Sequence, residues 1–115
     1  MKKNKHGVYV SGYEQLEWKG NNGCSIELRI GQKDNGQWAY GTLFESYSHG
    51  SGSPLSDTSK GYPTRNDAEK AFMEQIRAVA NSYYFINYLD DIISHFDDLF
   101  MENQQLSLFD NVEGF

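Results

Sequence analysis

Four side chains in the last third of the chain carry the donors a divalent cation needs. Asp91, His95, Asp98 and Glu102 are spaced four, three and four apart, so on a helix they share one face. A solvated acidic face has the same spacing, and that reading takes precedence. Nucleophilic catalysis would draw on Cys24, or on Ser51 and Ser53, with His49 as base. Cys24 continues the apolar alternation of its segment, however, and so reads as a small core residue. "HGSGSP" has the flexibility of a phosphate-cradling loop but lacks the Lys and the helix cap of a P-loop. The aromatics Tyr9, Tyr13, Trp18, Trp38 and Tyr40 could stack nucleic-acid bases, but with only Arg29 and Lys33 nearby, core packing is the better reading. No catalytic residue, metal or cofactor is assigned.

The elements that position these residues follow from periodicity. "GVYVSGYEQLEW" mixes β-branched and aromatic residues around Gly12 and predicts one bent strand or two short ones. "CSIELRI" puts Cys24, Ile26, Leu28 and Ile30 on one face of a half-buried strand. Asn35-Gly36 offers the two positive-φ residues of a type I′ turn. In the arm that follows, Trp38, Tyr40, Thr42 and Phe44 form the inward face, and Gly41 marks a bulge or a close approach. Residues 46–63 are rich in Ser and Gly and predict a long loop.

Thr64 is a natural N-cap for a helix over "RNDAEKAFMEQIRAVA", with Asp67 in its first turn. Ala68, Ala71, Phe72, Ile76 and Val79 make its apolar stripe, and Glu69, Lys70, Glu74 and Arg77 lie off it. Phe85, Ile86, Leu89, Ile92, Ile93, Phe96, Leu99 and Phe100 then recur every three or four residues between Asp90, Asp91, Asp97 and Asp98. A second, acidic amphipathic helix is expected. The fold expected is α+β: a three- or four-stranded, mainly antiparallel sheet with one helix packed on it and the acidic helix beside it. Residues 1–102 would form this single domain and residues 103–115 a tail.

Composition narrows the function classes. At 115 residues the chain fits one domain. Formal net charge is −6, and all seven acidic residues after Arg77 lack any Lys or Arg among them. That end repels phosphate backbones, so direct nucleic-acid binding is not expected. One cysteine, no apolar leader after the basic start and no bilayer-length apolar run point to a cytoplasmic protein without membrane contact.

The chain closes on "NQQLSLFDNVEGF". Leu106, Leu108 and Phe109 lack a regular period that would bury them in their own helix. They read either as anchors for a foreign groove or as last core contacts, joined by Val112 and Phe115. Gln105-Leu106-Ser107-Leu108-Phe109 resembles, at all five places, the strong form of the pentapeptide by which many bacterial replication and repair proteins bind the sliding clamp of the replicative polymerase. The resemblance implies a partner, with Gln105 as polar anchor, Leu108 and Phe109 filling a deep apolar subsite, and Ser107 as spacer. The hairpin, the Gly/Ser loop and "YPTRNDAEKA" are loosely similar to small uncharacterised proteins of bacterial plasmids, phages and conjugative elements, a likeness that transfers no residue's role. The leading expectation is a non-enzymatic adaptor that reaches the clamp at replicating DNA. The runner-up is an interaction module of unrelated role, homodimeric through the second helix, whose tail is structural; an acidic DNA-mimic inhibitor comes third.

Overall fold

The alternation in "CSIELRI" becomes the central strand of the sheet. The computed structural model describes residues 1–21, 23–46, 50–80 and 85–113, and side chains only as far as Glu102. Among the described residues six strands appear in chain order: β1 (Lys2–Lys3), β2 (Tyr9–Ser11), β3 (Glu14–Lys19), β4 (Ser25–Gln32), β5 (Trp38–Glu45) and β6 (Gly50–Ser53). Two helices follow, α1 (Arg65–Val79) and α2 (Leu89–Glu113), the second entered through a 3₁₀ turn at Ile86–Tyr88. Strands β3-β4-β5-β6 form one antiparallel sheet in sequential order, and β1 pairs with β2 in a separate hairpin. The architecture is α+β with both helices on the sheet.

Inward positions match the expected face. Ile26, Leu28 and Ile30 of β4 are fully buried beneath the helices, with Cys24, Trp18 and Phe44 around them. From α1 come Ala68, Phe72 and Ile76, and from α2 Ile92, Phe96 and Phe100. The helices meet where Phe72 and Phe96 stand edge to face, ring centroids 4.9 Å apart, a geometry that aligns ring edge with ring face. Burying such side chains contributes about 1.5–3 kcal/mol each. Thr64 caps α1 as its sequence requires, its Oγ1 accepting from the Asp67 amide at 3.1 Å.

Four expectations need correction. The β4–β5 connection is a three-residue loop, Asp34-Asn35-Gly36, with the Gly36 amide donating to the Lys33 carbonyl and Gly36 at φ +88°, in place of a two-residue turn. The Lys33 amide then donates to the Gln37 carbonyl, which fixes that register. Residues 46–63 are not all loop: Gly50–Ser53 pair with β5 as the sheet's fourth strand. Glu69, placed off the apolar stripe by spacing, is only 4% exposed, because Arg65 one turn earlier and Glu14 of β3 form an ion cluster around it. Ile86, expected within the second stripe, is exposed because the tighter 3₁₀ turn shifts the spacing before α2 begins.

Gly41 marks a close approach, as expected. A Cβ there would stand 2.5 Å from the Leu55 amide nitrogen and 2.7 Å from the Ser53 carbonyl oxygen. The chain after β6 therefore crosses β5 on the face away from the helices. There Leu55, Tyr9 and Ala39 form a second small core, flanked by Met1 and Tyr13. Lys3 clamps it from outside, its ammonium 2.7 Å from Asp34 and 3.1 Å from Asp57. Among the described residues no helix is long and apolar enough to cross a membrane.

Candidate functional site

The acidic face of α2 is partly spent on docking. The Trp18 indole N–H donates to Asp91 at 2.9 Å, and His95 Nε2 lies 2.7 Å from the Glu17 carbonyl oxygen, which requires the proton on that nitrogen. Both contacts bind α2 to the outer strand β3 and occupy two of the four candidate ligands. Among the described residues, no three His, Cys, Asp or Glu side chains converge where a metal could sit. Cys24 is 6% exposed within the core, so its thiol has no path to a substrate. Ser51 and Ser53 lie exposed on β6, and His49 falls outside the described residues. The aromatic set does not form a platform: Tyr9 and Trp18 are buried, and Trp38 and Tyr40 pack against the main core.

Gln105, Leu106, Ser107, Leu108 and Phe109 fall within the bounds of α2, so the expected boundary at residue 102 lies inside that helix. Their side chains lie outside the described residues. Just before them, Phe100 is buried while Met101 is 56% exposed and Glu102 is exposed as well. The core-facing row of α2 runs through Ile92, Phe96 and Phe100. Continuing it by steps of three or four gives Asn103 and Gln104, both polar, and after them Leu106, Ser107 and Leu108. Among the described residues Phe100 is the last buried apolar side chain of α2, and the positions that continue its row one turn later, Asn103 and Gln104, are polar.

A second feature escaped the sequence. A cleft of about 430 Å³ opens beside Gly41, walled by Tyr40 and Thr42 of β5, by Ser53, Pro54, Ser56, Thr58, Ser59 and Lys60, by Tyr62 and by Gln75 of α1. Tyr40 and Tyr62 stack with centroids 6.1 Å apart and planes 20° apart. The Tyr40 hydroxyl donates to Gln75 Oε1 at 2.9 Å. Burial, with help from Tyr62 and Glu74, pushes that phenol up to about 12, so it remains a neutral donor at physiological pH.

No protein-family model, curated protein or solved structure matches this chain. The two candidate sites therefore stand on their own residues. Gly41 was the one local signal of the cleft, since its lining residues come from three separate segments that only the fold brings together.

Proposed function

We propose that the protein is a non-enzymatic adaptor that binds the bacterial sliding clamp through Gln105–Phe109. The five-residue match to the clamp-binding peptide carries the reading. The row of α2 supports it: a helix in a folded protein owes most of its stability to a packed apolar face, and one turn beyond Phe100 that row is interrupted by the polar Asn103 and Gln104. Unwinding the last turns into the extended form a groove requires therefore costs little tertiary packing. Leu106, Leu108 and Phe109 would each gain about 1.5–3 kcal/mol on full burial. After ordering costs this leaves a dissociation constant that is roughly micromolar, suited to a tether that must exchange.

The acidic end of the chain fits a partner reached through protein contacts, since seven carboxylates without a neighbouring cation disfavour direct contact with DNA phosphates. Fluorescence polarisation of a labelled Asn103–Phe115 peptide against purified clamp tests the reading. Saturable binding that the intact protein competes away, and that Leu108→Ala with Phe109→Ala abolishes, is the expected result. Failure of the intact protein to compete would refute it.

A further inference from the structure

The cleft beside Gly41 combines a cation, a hydroxyl-rich lining and a wall fixed in advance. Lys60 is the only charged residue among those lining it, and among the described residues its ammonium has no carboxylate partner; it rests 5.4 Å from the Tyr62 ring centroid. Beside the Gln75 amide, hydroxyls supply most of the remaining polar lining: Thr42, Ser56, Thr58 and Ser59 contribute, with Ser56 Oγ and Thr58 Oγ1 3.0 Å apart and Ser59 Oγ donating to the Pro54 carbonyl at 3.2 Å. Thr42 is 8% exposed.

The wall is also built in advance. The Ser59 amide donates to the Ser56 carbonyl at 3.1 Å, and the Ser56 amide donates to Ser59 Oγ at 2.9 Å. From outside the cleft, Lys33 Nζ donates to the Ser59 carbonyl at 2.7 Å. These bonds fix residues 56–59 before any ligand arrives, which removes part of the ordering cost of binding. Its volume falls within the range of roughly 300–1,000 Å³ typical of small-molecule sites. Its lining, by contrast, is rich in hydroxyls and so suits a hydrophilic molecule.

We infer that this cleft binds a small phosphorylated polyol, with the phosphoryl group against Lys60 and the Ser56–Ser59 turn and the hydroxyl-bearing body against Thr42 and the tyrosine pair. Lysine serves phosphate as a point charge, and neighbouring hydroxyls supply donors to its oxygens. The site lies on β5, the crossing segment and α1, and it does not depend on the clamp-binding reading.

Ribose 5-phosphate is the probe, titrated into the full-length protein while backbone amide resonances are followed by NMR. Saturable shifts at Thr58, Ser59, Lys60 and Tyr62 with a millimolar or tighter dissociation constant are expected, weakened about tenfold in Lys60→Met and by a similar factor when ribose replaces the phosphate ester. Lys60 is exposed, so the variant should fold, and its thermal midpoint checks this. Thr58→Ala, also at an exposed position, provides a second variant and should weaken binding to a smaller extent. Shifts that never saturate, that persist unchanged in Lys60→Met, or that ribose alone reproduces would overturn the assignment.

Discussion

The Trp18 indole nitrogen donates to a carboxylate oxygen of Asp91 at 2.9 Å, joining residues 73 positions apart. Trp18 is 4% exposed, with Phe85 edge-on at 6.2 Å and Tyr88 at 5.9 Å, so its ring is core and only its N–H needs a polar partner. Asp91 supplies that partner from the first turn of α2, where negative charge also suits the helix dipole. Removing the carboxylate by Asp91→Ala leaves a donor at the edge of the core without its acceptor. A loss of about 1–3 kcal/mol is expected in urea unfolding followed by tryptophan fluorescence. Asp91→Asn keeps an acceptor and should lose less; equal losses would mean that the hydrogen bond contributes nothing.

Glu69 presents a second buried polar group, with a pH dependence that can be assigned. Burial pushes its carboxyl up from the ordinary value of 4.5, while Arg65 at 3.2 Å pulls the other way. Burial likewise works against the Arg65 charge, but Glu14 at 2.7 Å and Glu69 more than offset it and raise its pKa. Because folded Glu69 holds its proton more tightly than the unfolded chain does, acidification favours the folded state at this residue. The contribution is fully present below 4.5 and is lost as pH rises through the raised folded value. Wild type should therefore gain stability relative to Glu69→Gln as pH falls from neutral into the acid range. Thermal midpoints of both proteins across that range check this, and a difference that moves the opposite way would show that Arg65 outweighs burial.

How far the sequence discloses the fold depends on where the information sits. The period of two in "CSIELRI" and the Thr64 cap are local, and both elements form where spacing places them. Strand β6 was illegible because Gly50-Ser51-Gly52-Ser53 has no side-chain alternation; it is held by backbone pairing to β5. The Asn35-Gly36 pair is compatible with two hairpin loops, and only the pairing of Gln32 with Trp38 selects the longer one. Burial of Glu69 depends on Glu14, a residue of another element, so helical spacing alone misplaced it. The cleft was hidden for the same reason, whereas the clamp-binding peptide was legible because a linear motif needs no fold.

Gly41 and Gly36 separate two reasons for glycine. At Gly36 a side chain would meet open space but must adopt φ +88°, a conformation that costs L-residues roughly 1–2 kcal/mol. At Gly41 a Cβ would press on the backbone of Ser53 and Leu55, which cannot turn aside as a flexible side chain would. Displacing that crossing strand also disturbs the Tyr9–Leu55 cluster, so Gly41→Ala should cost about 1–3 kcal/mol or more. It should also shift the amide resonances of residues 53–60, while Gly36→Ala leaves them in place. Chemical-shift maps of the two variants distinguish the effects; identical maps would remove the crossing as the cause.

Among the described residues Phe100 is the last apolar side chain that α2 buries in the core. Its ring packs against Phe96 at 6.1 Å and Phe72 at 6.3 Å, and it is 6% exposed. Truncating it to Ala removes those contacts and leaves a cavity between the helices, for a cost of about 3–5 kcal/mol. Ending the chain after Gln104 removes five apolar side chains as well, Leu106, Leu108, Phe109, Val112 and Phe115, yet it should change stability by less than about 1 kcal/mol if they serve a partner and not the fold. Chemical denaturation of both variants makes the comparison in one experiment. A truncation as costly as Phe100→Ala would place those side chains in the protein's own core and leave the clamp nothing to hold.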